Sequence, residues 1–339
     1  MKILVTGGAG FIGSHTVVEL HQAGFEPVII DNLYNSNHGV LEGIRKITGK
    51  DFPFYEMDCN DTEQVRELFR KEQFDGVIHF AAYKAVGESV EKPLNYYENN
   101  LISLLVLLRA AKEFNVKSFV FSSSCTVYGQ PEHLPVTEST PRQPATSPYG
   151  NTKAIAEDII RDHVHSKPGL KAISLRYFNP IGAHESALIG ELPNGVPSNL
   201  VPFITQTAAG LRPSLTVFGS DYDTPDGTCV RDFIHVVDLA KAHVKALELL
   251  DQQTDQDYYD VFNVGTGEGY TVLQLISTFE EVSGVKLNYT IGPRRPGDVE
   301  KIYAQADKVN NVMKWRAEKS IAEALRDAWN WQKKITFEK

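Results

Sequence analysis

Tyr149 and Lys153 form a Tyr-x-x-x-Lys pair that follows Ser147-Pro148. Residues at i and i+4 share one helix face. Serine is a good helix cap and proline a good first helical residue, so the spacing predicts a helix that opens on the tyrosine. A free phenol has a pKa of about 10 and is a poor base near neutrality. A neighbouring ammonium favours the phenolate, so the pair predicts a lowered Tyr149 pKa and a base able to take a proton from a hydroxyl group. Ser122-Ser123-Ser124 closes the apolar run Phe119-Val120-Phe121. The carboxyl end of a strand is where ligands sit in an open parallel sheet. A serine hydroxyl there can bond both the tyrosine oxygen and a substrate oxygen, and sequence physics does not choose among the three. A tyrosine and a lysine four apart are ordinary helix decoration by themselves. Their position after this serine-rich strand end, in a chain with the glycine loop described next, sets them apart.

Thr6-Gly7-Gly8-Ala9-Gly10-Phe11-Ile12-Gly13 lies between an apolar run, Ile3-Leu4-Val5, and a helical pattern beginning near Phe11. Glycine permits a tight turn and a close approach of the backbone to a pyrophosphate, and the helix start offers free N–H groups. Asp31 ends the next apolar run, near the ~20-residue offset expected for a carboxylate that bonds an adenosine ribose. These features together predict dinucleotide binding. Asn32-Leu33-Tyr34-Asn35 supplies no arginine for a 2′-phosphate, which favours NAD over NADP. The positive nicotinamide is a second reason to expect a lowered Tyr149 pKa.

The elements that must position these residues alternate through the first half. Strand candidates at Ile3–Val5, Val28–Ile30, Phe52–Met57, Val77–Phe80, Phe119–Phe121 and Leu170–Phe178 are separated by helix candidates at about 11–23, 61–72, 94–114 and from 149 onward. Wholly apolar strands in a β-α-β rhythm predict an α/β fold with a doubly wound parallel sheet (a Rossmann fold), plus a smaller mixed α/β C-terminal domain. The expected division is 1–178, with 232–268 returning to it, and a second unit from 179–231 and 269–339. Residues 180–231 are rich in Pro, Gly and Asn and are expected to be mostly loop, and a final helix is expected near Ala322–Trp331. The 339 residues suffice for about two domains.

With 42% hydrophobic and 23% charged residues, disordered and fibrous classes are excluded. A net charge of −9 argues against nucleic-acid or anionic-membrane partners. Cys59, Cys125 and Cys229 are too few and too scattered for a disulfide framework or a metal cluster, so no metal and a cytoplasmic location are expected. The opening MKILVTGGAG reads as strand and loop rather than signal peptide, and the longest apolar stretch, Leu101–Leu108, is too short to span a bilayer.

TGGAGFIGSH, DNLYNS, HFAAYKAVGESVEKPLNYYENN, FSSSCTVYG, SPYGNTK, LRYFNPIGAH and GTCVRDFIHVVDLA together resemble the UDP-glucose 4-epimerase family of extended short-chain dehydrogenase/reductases, over essentially the whole chain. The resemblance implies reversible inversion at C4 between UDP-galactose and UDP-glucose, through a transient 4-keto sugar and tightly bound NAD. It implies Ser124 as the orienting hydroxyl, Tyr149 as the acid/base and Lys153 as its electrostatic partner. For the cofactor it implies Gly7, Gly10, Phe11, Ile12 and Gly13 at the pyrophosphate turn, and Asp31, Asn32, Leu33, Tyr34, Asn35 and Ser36 at the adenosine ribose. Asp58 and Cys59 would lie at the adenine. Phe80, Ala81, Ala82, Tyr83, Lys84 and Asn99 would flank the cofactor, and Phe178 would pack near the nicotinamide. For the UDP-sugar it implies Asn179, Asn199, Leu200, Thr216, Val217, Phe218, Arg231, Arg295, Asp298 and Ile302, together with Lys84, Ser124 and Tyr149. Two arginines in a net-acidic chain suit a diphosphate. The resemblance also implies a homodimer built on the helix near 93–114 and the helix from Tyr149.

Ala82-Tyr83 replaces a more usual Gly-Leu of that family, and Cys125 stands where Ala is common. Ile302 aligns with a position that limits room at the sugar C2 substituent. Its intermediate size leaves UDP-N-acetylglucosamine 4-epimerase activity open. A nucleotide-sugar 4,6-dehydratase would carry an acidic pair after the serine, whereas this chain reads Ser124-Cys125-Thr126. A catalytically inactive NAD sensor would tolerate loss of the tyrosine or lysine, and both are present. His79 reads as a satisfied strand-end histidine and Arg294 as a solvated neighbour.

Overall fold

The computed structural model describes residues 1–295 and 298–337. The first half runs β1 (Lys2–Thr6), α1 (Phe11–Gln22), β2 (Glu26–Asp31), α2 (His38–Thr48), β3 (Phe54–Glu56), α3 (Thr62–Glu72), β4 (Gly76–His79), α4 (Val86–Glu91), α5 (Pro93–Glu113), β5 (Ser118–Ser124), α6 (Pro148–His165) and β6 (Lys171–Tyr177). Then come β7 (Asn179–Ile181), α7 (Leu200–Ala208), β8 (Leu215–Phe218), β9 (Val230–Arg231), β10 (Phe233–His235), α8 (Val236–Gln252) and β11 (Tyr259–Val264). The chain ends with β12 (Tyr270–Thr271), α9 (Val272–Ser283), β13 (Tyr289–Gly292), β14 (Lys301–Ile302), α10 (Asp307–Val312) and α11 (Ile321–Phe337).

Seven strands form one parallel sheet in the order β11-β6-β5-β4-β1-β2-β3. Both faces are covered, which explains the wholly apolar strands. Side chains alternate along β1, so Ile3 and Val5 join one core with α1, α2 and α8, while Leu4 joins the other with α3, α5 and α6. The strand order reverses between β1 and β4, leaving a crevice at their carboxyl ends.

The segment 180–231 departs from the expected loop texture. It contains α7 and β8, whose Val201, Ile204, Leu215 and Val217 build a second core with Leu275, Ile276 and Phe279 of α9 and Leu325 and Trp329 of α11. Proline and glycine concentrate at the boundaries of these short elements, and that masked their apolar pattern. Helix α2 also went unforeseen, although Asn37 caps it by accepting from the Gly39 N–H.

Candidate functional site

The pyrophosphate turn is set by close approach. Gly7 has φ +66°, and its N–H donates to the Ile30 carbonyl at 2.8 Å. A Cβ on Gly7 would sit 2.9 Å from the Ala81 nitrogen, so the ends of β1 and β4 meet only because no side chain intervenes. A Cβ on Gly13 would lie 2.2 Å from the Gly7 carbonyl oxygen, so helix α1 packs directly on the turn. Gly10 caps α1 with no side-chain bond, and the N–H groups of the first turn remain available to an anion. Asp31 is buried at the end of β2. It accepts from Ala9 N–H at 3.1 Å and Leu33 N–H at 2.9 Å, which ties the ribose-side loop to the glycine turn. Burial pushes its carboxyl above the usual range, and those two bonds oppose the rise. Ser36 donates to the Ala9 carbonyl and completes the link. A negative, two-toothed carboxylate beside an open helix N-terminus fits a dinucleotide whose ribose is unphosphorylated.

Around this turn, the Tyr34 and Tyr83 rings meet at a tilt with centroids 5.0 Å apart, and Tyr83 meets Tyr96 edge-on at 5.6 Å. Asn100 grips the Tyr83 backbone, accepting from its N–H at 2.8 Å and donating to its carbonyl at 3.0 Å. Asn60 donates to Asp58 at 2.8 Å and to Asn99 at 3.1 Å. Cys59 is buried in the sheet core, and burial holds its thiol protonated, so its side chain is not available to a ligand. Asn32 and Asn35 lie exposed on the same loop, and Phe80 packs on α8 through His243, with ring centroids 4.6 Å apart.

The serine, tyrosine and lysine are brought together by β5 and α6. Ser147 caps α6 by accepting from the Gly150 N–H at 3.1 Å, with Pro148 in the first turn. Lys153 is buried, donates to the Ser122 carbonyl at 2.6 Å, and stands 4.9 Å above the Phe121 ring. Burial lowers its pKa to about 7. Burial also raises that of Tyr149 to about 12, opposed by the Ser124 hydroxyl. The expected lowering rested on the ammonium and a bound nicotinamide together, and in the protein alone the ammonium does not bring it about. The ammonium meant to lower the phenol lies 5.9 Å from its ring, and burial weakens that charge too. Ser124 begins a 3-10 turn, Cys125–Tyr128, and its hydroxyl accepts from the Thr126 N–H at 3.2 Å. His79 is satisfied, as expected: its Nδ1 pairs with the Thr6 hydroxyl at 2.8 Å, and burial lowers its pKa to about 3.

The second lobe adds a polar wall. Asp298 receives Arg295 through two bonds, at 2.7 and 3.2 Å, and lies 3.8 Å from Arg231. The Arg295 guanidinium stands 5.8 Å over the half-exposed Phe218 ring. Ile302 pairs with Arg231 in the β14–β9 register and packs with Phe178 and Cys125 in a small buried cluster. Asn199 caps α7 and donates to Glu191 at 2.6 Å, and Glu191 also receives Lys84 at 3.2 Å. Asn179 opens β7, Leu200 opens α7, and Thr216 lies on β8. Val217 turns its side chain into the lobe core, so its backbone alone is available. Arg294 is exposed, as expected of a solvated neighbour, and it donates to Asp221 at 2.8 Å and covers the Tyr222 ring at 4.1 Å.

Sequence reasoning missed Glu157, Arg176, Glu191 and Asp232. Asp232 is buried and accepts from Thr266, Gly267 and Ala304, locking β9 against the strands beside it. Its only signal was a carboxylate inside an apolar run, VRDFIHVV.

Over residues 4–328 the chain matches a family model described as GDP-mannose 4,6 dehydratase. It is 50% identical over 334 residues to the UDP-glucose 4-epimerase of Pasteurella multocida, covering 98% of each chain. The chain belongs to the UDP-glucose 4-epimerase family. Two solved epimerases share its fold. The enzyme from Bifidobacterium longum, in complex with NAD+ and UDP, is 48% identical with a TM-score of 0.94 over 98% of both chains. The one from Stenotrophomonas maltophila, with bound NAD and formylated UDP-arabinopyranose, is 47% identical with a TM-score of 0.95 over 99% of this chain and 98% of that one. The broad dehydratase description and the epimerase relatives differ in chemistry, and the 3-10 turn separates them here. Residues 125 and 126, where a dehydratase carries its acidic pair, are a buried cysteine and a threonine.

Proposed function

We propose that the protein interconverts UDP-galactose and UDP-glucose by inversion at C4, through a transient 4-keto sugar. One observation carries the reading: Ser124, Tyr149 and Lys153 meet at the carboxyl end of β5, in the sheet whose β1 leads into the glycine turn, and Arg231 and Arg295 share Asp298 in the second lobe. The epimerase relatives in complex with NAD support it. NAD, which the glycine turn and Asp31 would hold, would supply the hydride acceptor and donor and a positive charge that favours the Tyr149 phenolate.

This chain's residues do the rest. Asp31 accepts from the ribose hydroxyls, and the first turn of α1 holds the pyrophosphate. Arg231 and Arg295 receive the UDP diphosphate, with Asp298 orienting both. Thr216, Phe218, Asn199 and Leu200 enclose the uridine side, and Asn179 faces the sugar. Ser124 bonds the 4-oxygen while Tyr149 takes its proton. Lys153, held by the Ser122 carbonyl, keeps the phenolate form accessible. Tyr149 returns the proton once the anchored sugar has turned its other face. The two units divide the work, the sheet holding the cofactor and the second lobe the UDP-sugar.

We infer a homodimer as well. Leu94, Ile102 and Leu105 leave an exposed apolar stripe on α5, beside α6, and Val86 and Val90 extend it. Light scattering that reads one chain per particle would contradict this. Among the described residues no helix is long and apolar enough to cross a membrane, and the three cysteines are free and buried, which supports a cytoplasmic location.

The test approaches equilibrium from both sides. Pure UDP-glucose and pure UDP-galactose should reach one common mixture. A 4-keto-6-deoxy product would point to the dehydratase instead.

A further inference from the structure

Glu157 lies one helical turn beyond Lys153 on α6, and its side chain is buried. Its Oε1 accepts from the Ser123 hydroxyl at 2.5 Å and from Arg176 Nε at 2.9 Å, and its Oε2 accepts from the second Arg176 nitrogen at 2.6 Å. Arg176 faces Ser123 in the β5–β6 register and donates onward to the Tyr128 hydroxyl at 3.1 Å, which donates to Asn263 at 2.6 Å. Burying such a pair costs desolvation, and well-packed apolar side chains often serve stability as well. Its placement is what stands out. Ser123 sits between the carbonyl that receives Lys153 and the serine that serves Tyr149. Successive strand side chains point to opposite faces, so Glu157 holds β5 from one side while Ser124 presents its hydroxyl on the other.

We propose that Glu157 is a positioning residue, which through Ser123 fixes the end of β5 and so sets the Ser122 carbonyl against Lys153 and the Ser124 hydroxyl against Tyr149. The proposal rests on the epimerase reading above. The Glu157 charge also favours the Lys153 ammonium. The other polar and charged groups facing this pair are His79 from β4, Ser122 and Ser123 from β5, and Arg176 and Tyr177 from β6. Arg142 lies 3.7 Å from the carboxylate, Tyr259 reaches in from β11, and Tyr149 shares α6.

The experiment compares the full-length wild type with Ser123→Ala and Glu157→Gln, measuring kcat and KM for UDP-galactose across pH, retained NAD and the thermal midpoint. Ser123→Ala should lose about tenfold in kcat, as expected for one hydrogen bond to a charged group, with KM changed less than about twofold and NAD retained. Glu157→Gln should move the alkaline limb of kcat to lower pH, because the charge that favours the ammonium is gone. Wild-type kcat and pH profile in Ser123→Ala would overturn the proposal, even if Glu157→Gln fails to fold. Losses of kcat that merely follow losses of NAD and thermal midpoint would also overturn it. An inactive wild type would sink the epimerase reading and this proposal with it.

Discussion

The Lys153 ammonium donates to the Ser122 carbonyl at 2.6 Å while standing 5.9 Å from the Tyr149 ring. Lysine and tyrosine are thus placed as a pair, yet each is pushed by burial toward its neutral form, to about 7 and about 12. If Tyr149 is the acid/base proposed above, a further positive charge beside it would favour the phenolate at neutral pH. A nicotinamide in the crevice would supply that charge, which couples proton transfer to occupancy of the cofactor site.

Tyr149→Phe removes the phenol oxygen proposed to take the proton, together with its bond to the Ser124 hydroxyl. Turnover of UDP-galactose should fall by about 10³-fold or more, within the range for loss of a general acid/base, while NAD stays with the protein. Activity near wild type would show that another group moves the proton.

Lys153→Met tests the buried charge. The folded-state pKa lies below the ordinary 10.5, so the folded protein binds fewer protons than the unfolded chain between about pH 7 and 10.5. Stability therefore rises with pH across that window and is lost as pH falls through it. The thermal midpoint of Lys153→Met relative to wild type should be more favourable at pH 6.5 than at pH 9.5, and turnover should drop. An equal difference at the two pH values would contradict the burial argument.

The Asp31 carboxylate is fixed by two backbone N–H groups, and we propose that it is what would reject a 2′-phosphate. Asp31→Ala should narrow the preference for NAD over NADP, read as reconstitution of activity in cofactor-stripped protein. An unchanged ratio would remove Asp31 from the ribose contact.

Ile302 is buried against Phe178 and Cys125, and we propose that its volume would limit room for the sugar C2 substituent. Ile302→Ala should cost about 2–5 kcal/mol of stability as a large-to-small core change. It should also raise turnover of UDP-N-acetylgalactosamine relative to UDP-galactose by about tenfold. An unaltered ratio would place the sugar C2 substituent elsewhere.

The sheet was legible because β1, β2, β4 and the first half of β5 send apolar side chains to both faces, and β2, β4 and β5 end on Asp31, His79 and Ser124. Helix α6 was legible from Ser147-Pro148 and the i, i+4 pair. The second lobe was less so, since its strands are two to four residues long and paired with distant partners, as β8 is with β13 and β9 with β14. The rise in the Tyr149 pKa of the protein alone was not legible, because sequence spacing shows a neighbouring charge but not the desolvation of both groups. Glu157 and Arg176 meet across 19 positions, and Glu191 reaches Lys84 across 107, so no local pattern announces them.

The most direct test gives purified protein UDP-galactose, with no NAD added, and assays for UDP-glucose. Formation of UDP-glucose is expected, because the cofactor ends each cycle as it began and stays bound. No UDP-glucose, even after NAD is supplied, would contradict C4 epimerisation by this site.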